Sequence, residues 1–223
     1  MGINLTPHKT CTFDCIYCQL GKTTVKTRER KEYISIAEIT EELKNWLQNN
    51  PCEINNPRFI TLSGSGEPTL NFKIADLIKE VKKITAVPVA IITNASLLIS
   101  PLVRQELQGI DLIVPSLDAV TQAVFEKIDR PLEGIAVAGI IDGLIALKKE
   151  HKGQIWLEVM LVRGVNDDLR QIKKLKEAVE KINPDKVQLN SPVRSTAEPN
   201  ILPVDRKKLK KIKEILGEKC EII

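Results

Sequence analysis

The chain has 223 residues, 43% hydrophobic and 28% charged, with a formal charge of +4. That is enough for one domain, residues 1–223, with a sizeable core, and the composition excludes a disordered or fibrous chain. No apolar run reaches the roughly 20 residues of a membrane helix, no charged-then-apolar leader opens the chain, and the mild charge permits nucleic-acid contact without arguing for it; a cytoplasmic protein is expected.

Gly2–Leu5 read as a short strand that feeds directly into the run His8–Gly21, "HKTCTFDCIYCQLG". Cys11, Cys15 and Cys18 stand there at the spacing C-x3-C-x2-C, so three of the five cysteines fall within one loop. Three thiolates this close can share one inorganic centre. Held by three cysteines, a four-iron cube would keep one iron open to a small molecule. Two alternatives stay open on these residues. His8 extends the run to a set that would suit tetrahedral zinc. Cys52 or Cys220 could bring a fourth thiolate and close the cluster. An odd cysteine count without a leader points to a reducing compartment and away from disulfides.

A basic stretch follows: Lys22, Lys26, Arg28, Arg30 and Lys31 have little to bury and read as a surface loop or ribbon. Ser35 to Glu38 form a capping box before Ile36, Ile39, Leu43, Trp46 and Leu47 at helical spacing. Pro51 and Asn55–Asn56 close that unit. Strand and helix then alternate. Arg58–Leu62, Val87–Ile92, Asp111–Pro115, Gln154–Val162 and Lys186–Leu189 are apolar strand runs, each followed by a helical stripe. Ser100-Pro101 is an N-cap with proline at the first helical position. Pro131 divides one helical region in two, Asp167 is placed to cap the helix of Leu169 to Ile182, and a last helix runs from about Val204 to Leu216. "EKCEII" is a further short strand or a frayed end. Six strands alternating with helices predict a parallel sheet covered by helices, curled into a partial, open (β/α)6 barrel of the α/β class.

In such folds ligands gather at the carboxyl ends of the strands. The second strand ends in Ser63-Gly64-Ser65-Gly66-Glu67-Pro68, where two glycines allow close backbone approach and a carboxylate can take an ammonium group. The third ends at Asn94, the fourth at Ser116 and Asp118, and the sixth at Asn190. Asparagines and aspartates are also ordinary turn and cap residues; it is the polar character of every strand end, with the cysteines at the first, that makes a site of them.

The cysteine run "CTFDCIYC" with "SGSGEPTL" resembles the radical S-adenosylmethionine (radical SAM) superfamily, and the longer run "TPHKTCTFDCIYCQLGKT" resembles its stand-alone iron–sulfur oxidoreductases related to wyosine-base synthase, a tRNA-modifying enzyme. The resemblance implies one 4Fe–4S cluster on Cys11, Cys15 and Cys18, with SAM chelated at the open iron. It further implies Tyr17 and Asn190 beside adenine, Gly64, Ser65, Gly66 and Glu67 at the SAM ammonium, and Asn94, Ser116 and Asp118 at the ribose and carboxylate. Ser65 stands where the family's motif has its first glycine, and Gln19-Leu20 where the synthase has Trp-Arg. The partners implied are a flavodoxin- or ferredoxin-like electron donor and, through the basic stretch, tRNA. Arg130, Glu158 and Arg163 are further candidates for substrate chemistry; a closed-cluster or zinc-binding module and a glycyl-radical-activating enzyme are the competing functions.

Overall fold

The computed structural model describes residues 1–50 and 58–223. The expected stop at Pro51 and Asn55–Asn56, and Cys52, lie outside the described residues. In chain order the elements are β1 (Gly2–Ile3), β2 (Thr10–Cys11), β3 (Val25–Lys26), α1 (Ile36–Asn49), β4 (Ile60–Leu62), α2 (Ile74–Ile84), β5 (Val89–Thr93), α3 (Pro101–Glu106), β6 (Leu112–Pro115), α4 (Gln122–Ile128), α5 (Val137–Glu150), β7 (Gln154–Met160), α6 (Leu169–Ile182), β8 (Lys186–Asn190), α7 (Arg206–Leu216) and β9 (Cys220–Ile222).

Seven strands form one all-parallel sheet in the order β1-β4-β5-β6-β7-β8-β9. The expected βα repeat is therefore present, and "EKCEII" supplies a seventh strand, β9, parallel to β8 with Val187 opposite Cys220. Each helix turns one apolar stripe to the sheet: Ile74, Leu77, Ile78 and Val81 on α2, and Ile172, Leu175, Val179 and Ile182 on α6, are all buried. The other face of the sheet is the inside of the curl, and side chains alternate between the two. On β7, Ile155, Leu157 and Val159 are fully buried against helices, while Trp156, Glu158 and Met160 face inward and are only half-buried. Ile92 of β5 is 42% exposed although its neighbours Val89, Ala90 and Ile91 are buried. A strand in an open half-barrel thus keeps one face for packing and one for a ligand.

The helix predicted to break at Pro131 is α4 and α5, and α3 starts at Pro101 as expected. Ser35 sits at the N-cap of α1, but its side chain accepts nothing; the Glu32 carboxylate takes the Ile36 N–H at 3.0 Å instead. Asp168, not Asp167, caps α6, accepting from the N–H groups of Arg170 and Gln171 at 3.0 and 3.1 Å. Asp167 turns inward, accepts the Gly164 N–H at 2.8 Å and pairs with Lys208 at 2.6 Å, tying the loop after β7 to α7. The basic stretch is partly a ribbon: β3 pairs in parallel with β2, Cys11 opposite Lys26.

Candidate active site

The cysteine loop leaves β2 and returns through β3, so the pairing of two very short strands closes it at its base. Its middle is fastened to the end of α4. A helix leaves its last carbonyls without internal partners, and here the loop uses them: the N–H groups of Ile16 and Asp14 donate to the carbonyls of Ile128 and Asp129 at 2.9 and 3.0 Å. The Phe13 and Phe125 rings pack edge to face, 5.3 Å apart, beneath this contact. Within the loop the Cys18 N–H donates to the Cys15 carbonyl at 3.1 Å and closes a turn between the two cysteines.

The three thiols meet three different environments. Cys11 Sγ accepts from the Phe13 N–H at 3.5 Å and from the Asn94 amide at 3.4 Å. Cys15 Sγ lies 3.4 Å from an Asp129 carboxylate oxygen, and Cys18 Sγ accepts from Lys9 Nζ at 3.1 Å. Burial pushes the Cys11 thiol up to about 11, and the Glu67 charge adds to it; burial, then Asp129, pushes the Cys15 thiol well above its ordinary value. Cys11 also raises Cys15, and Cys18 raises Cys11, so the three are electrostatic neighbours. Among the described residues, no three His, Cys, Asp or Glu side chains close on one ion. A cube takes one thiolate on each of its irons, and three thiols carried by one loop as electrostatic neighbours are a donor set that fits it. His8 is exposed and outside the set. Cys220 is a core thiol on β9, packed in the hydrophobic cluster, so the fourth thiolate considered above does not come from there.

The glycine-rich segment after β4 docks on this loop. The Lys9 N–H donates to the Ser65 carbonyl at 2.6 Å, and the Glu67 N–H to the Thr10 carbonyl at 3.1 Å. A β-carbon on Gly66 would overlap the Thr10 carbonyl, so this glycine serves an approach of backbone to backbone. Gly64 has φ +137°, a conformation that suits only glycine, and it lies against Asn4 on one side and a cavity on the other. Glu67 is 2% exposed and turned into the wall. One of its oxygens accepts from the Thr69 N–H, the Thr69 hydroxyl and the Thr93 hydroxyl at 3.0, 2.6 and 2.7 Å; the other accepts from the Asn94 N–H at 2.8 Å. Its burial pushes it above the usual carboxylate range. The carboxylate thus joins the ends of β4 and β5.

Asn94, so fixed, donates to Thr12 Oγ1 at 2.8 Å as well as to Cys11. Tyr17 donates its hydroxyl to Asp118, whose other oxygen accepts the Met160 N–H at 2.7 Å. Burial raises Asp118 to about 7 and pushes Tyr17 well above its ordinary value. Ser116 Oγ and the Asn190 amide both donate to Glu158, at 3.4 and 3.2 Å. A cavity of about 550 Å³ opens over this floor. The half-buried Cys18, Tyr17, Glu158, Met160 and Asn190 line it, together with the exposed Gly64, Leu20, Val193 and Arg194. That volume suits a small-molecule ligand.

Of the residues read from sequence, Cys18, Tyr17, Gly64 and Asn190 face the cavity, while Asn94, Ser116 and Asp118 line a smaller pocket beside Tyr17. Ser65, Gly66 and Glu67 form the buttress beneath. Arg130 and Arg163 are absent from the cavity's lining; Arg130, with φ +45°, instead pairs with Glu198 at 2.6 Å. The functional contacts of Lys9, Asp129 and Met160 were missed, since a lysine before the cysteines and an aspartate after a helix carry no pattern of their own.

Comparison with known proteins bears on the same site. Residues 5–189 match the radical SAM superfamily. A protein of Brachyspira hyodysenteriae named GTPase Obg is 40% identical over 222 residues, covering 100% of this chain and 32% of that protein. A UPF0026 protein of Methanocaldococcus jannaschii is 32% identical over 220 residues, which is 98% of this chain and 67% of the relative. The chain therefore spans about a third of the first relative and two thirds of the second. The structure of TYW1 with a lysine-pyruvate adduct superposes with a TM-score of 0.66 at 22% identity, over 96% of this chain and 72% of that one, and shows the same fold. This chain belongs to the radical SAM superfamily, enzymes that join a 4Fe–4S cluster on three cysteines to S-adenosylmethionine.

Proposed function

We propose that Cys11, Cys15 and Cys18 hold the cluster and that SAM occupies the part of the cavity beside Cys18. Held there, the cluster and SAM would supply one-electron reductive cleavage of SAM to methionine and a 5′-deoxyadenosyl radical, the agent for hydrogen abstraction from the substrate. The observation that carries this reading is the placement of the thiols: one loop carries all three, Cys11 and Cys15 as electrostatic neighbours, and Cys18 lines a cavity of about 550 Å³ at the strand ends.

The chain's own residues then have distinct tasks. Tyr17, held by Asp118, offers an aromatic face to adenine from the cluster side, and Asn190 meets it from β8. Gly64 brings its backbone to the SAM ammonium, while Ser65, whose carbonyl is taken by the Lys9 N–H, and Glu67, whose oxygens are occupied by Thr69, Thr93 and Asn94, hold that backbone in place. Ser116 and Asn94 border the ribose and carboxylate. The apolar side chains of Leu20 and Val193 limit water around the radical.

The partner is a one-electron donor of the flavodoxin or ferredoxin class. The tRNA expected as substrate rests on the likeness to wyosine-base synthase. The basic stretch lends it little, because four of its five cations are engaged within the chain: Arg30 makes a two-pronged pair with Glu106, Lys26 donates to the Arg130 carbonyl at 3.0 Å, Lys31 lies 3.4 Å from Glu29, and Lys22 lies 3.5 Å from Glu198. On α7 the lysines are the outer face of a helix whose Leu209, Ile212 and Leu216 are buried.

Anaerobic reconstitution tests the reading. About four irons per chain, and 5′-deoxyadenosine on addition of dithionite and SAM, are expected. Alanine at Cys11, Cys15 or Cys18 should each lose the iron. Stoichiometric zinc, or a cluster that survives these replacements, would overturn it.

A further inference from the structure

Lys9 is 3% exposed, deeper than a lysine ordinarily lies. Its backbone is left-handed, φ +56°, a conformation that glycine adopts at less cost. Three hydrogen bonds fix that backbone: its N–H donates to the Ser65 carbonyl at 2.6 Å, and its carbonyl accepts from the N–H groups of Thr24 and Val25 at 3.2 and 3.1 Å. The side chain is therefore aimed. Among the described residues its ammonium has one hydrogen-bond partner, Cys18 Sγ at 3.1 Å, and no carboxylate in pairing distance. A buried cation without a counter-ion is costly. A thiolate of an anionic cluster is the group that would balance it.

Resting on the assignment of Cys18 as a cluster ligand, we propose that Lys9 is a positioning residue that donates a charged hydrogen bond to the Cys18 sulfur and raises the reduction potential of the cluster. Hydrogen bonds and charge at ligand sulfurs are among the factors that set such potentials. The asymmetry of the loop supports it. Cys11 receives two neutral donors, Cys15 faces a carboxylate, and Cys18 receives the cation. A positive charge at one ligand favours the state with one more electron, which is the state the donor must produce. The same charge reaches Cys11, whose thiol it pulls down against the effect of burial.

Lys9→Met and Lys9→Arg test it in the reconstituted holoenzyme, by redox titration followed by electron paramagnetic resonance. At the wild-type midpoint, Lys9→Met should lower the reduced-to-oxidised ratio about tenfold, which for a one-electron couple is about 59 mV. Lys9→Arg, which keeps the charge, should stay close to wild type. A second measurement needs no variant. With lysine labelled by nitrogen-15, the reduced wild-type cluster should show a hyperfine coupling to a lysine nitrogen, and Lys9→Arg should lose it. An unchanged midpoint in Lys9→Met, or no lysine coupling in the wild type, overturns the proposal. Should Lys9→Met fail to assemble, the labelled wild type decides. A wild-type chain that takes up no cluster would instead overturn the functional reading.

Discussion

The α-carbon of Gly66 and the carbonyl of Thr10 are so close that a single added methyl on the glycine would overlap the oxygen. Through this contact the segment after β4 rests directly on the strand that begins the cysteine loop. Gly66→Ala must separate the two backbones, and backbone cannot yield as a flexible side chain does. We expect a loss of about 1–3 kcal/mol, read as a lower urea midpoint, and reduced iron uptake. Wild-type stability in this variant would show that the two segments move apart freely.

Glu67 should matter before any ligand arrives. Glu67→Gln exchanges an acceptor oxygen for an NH2 facing donors from Thr69, Thr93 or Asn94. A loss of roughly 1–3 kcal/mol is expected from the unmatched buried groups, and it should be present in the protein without iron or SAM. If unfolding of the apo-protein is unaltered and only SAM affinity falls, the carboxylate contacts SAM itself.

His151 gives stability a pH slope. It follows α5, is 7% exposed, and neither ring nitrogen has a partner among the described residues. Burial, and then Lys148, lowers its pKa, so the fold holds the neutral ring. The unfolded chain, with an ordinary value of about 6.5, binds the proton more readily. Stability from this group is then complete above that value and falls as pH drops below it toward the lowered one. Chemical unfolding between pH 8 and 5 should show the decline, and His151→Leu should flatten it. An equal slope in both proteins would place the proton elsewhere.

Glu198 straps the cysteine loop from outside. Its N–H donates to the Ile16 carbonyl at 3.1 Å, and its carboxylate pairs with Arg130 at 2.6 Å and Lys22 at 3.5 Å. Arg130 holds that carboxyl below its usual range. Replacing Glu198 with alanine should leave iron loading intact but speed removal of iron by a chelator several-fold. An unchanged rate would mean that the loop after β8 does not guard the cluster.

The sequence carried the frame of this site better than its wiring. The βα repeat, the cysteine loop and the polar strand ends were legible because each has a short-range pattern: period two, period 3.6, fixed cysteine spacing. The hydrogen bonds that Glu67 makes to Thr93 and Asn94 have no signal in the sequence, because those residues belong to another strand and its end, and no local pattern tells of them. Asp167 is the cap expected from sequence, but its carboxylate is taken by the Gly164 N–H and by Lys208 on α7, and Asp168 caps the helix instead. Lys9 could not be found at all, since nothing local tells that a lysine in a loop is buried.

The strands of the main sheet lie side by side in the order in which they leave the ribosome. Each new βα unit therefore meets a finished edge, and the sheet grows in one direction. The cysteines follow its first strand, before Asp129, and Glu198 comes only after β8. A nascent chain has all three thiols in hand while its strap does not yet exist. Cluster delivery thus has an early period of open access that closes with synthesis of the segment after β8. Stalled chains ending before Ser191 should take up and release iron faster than the released protein, and equal rates would remove this timing.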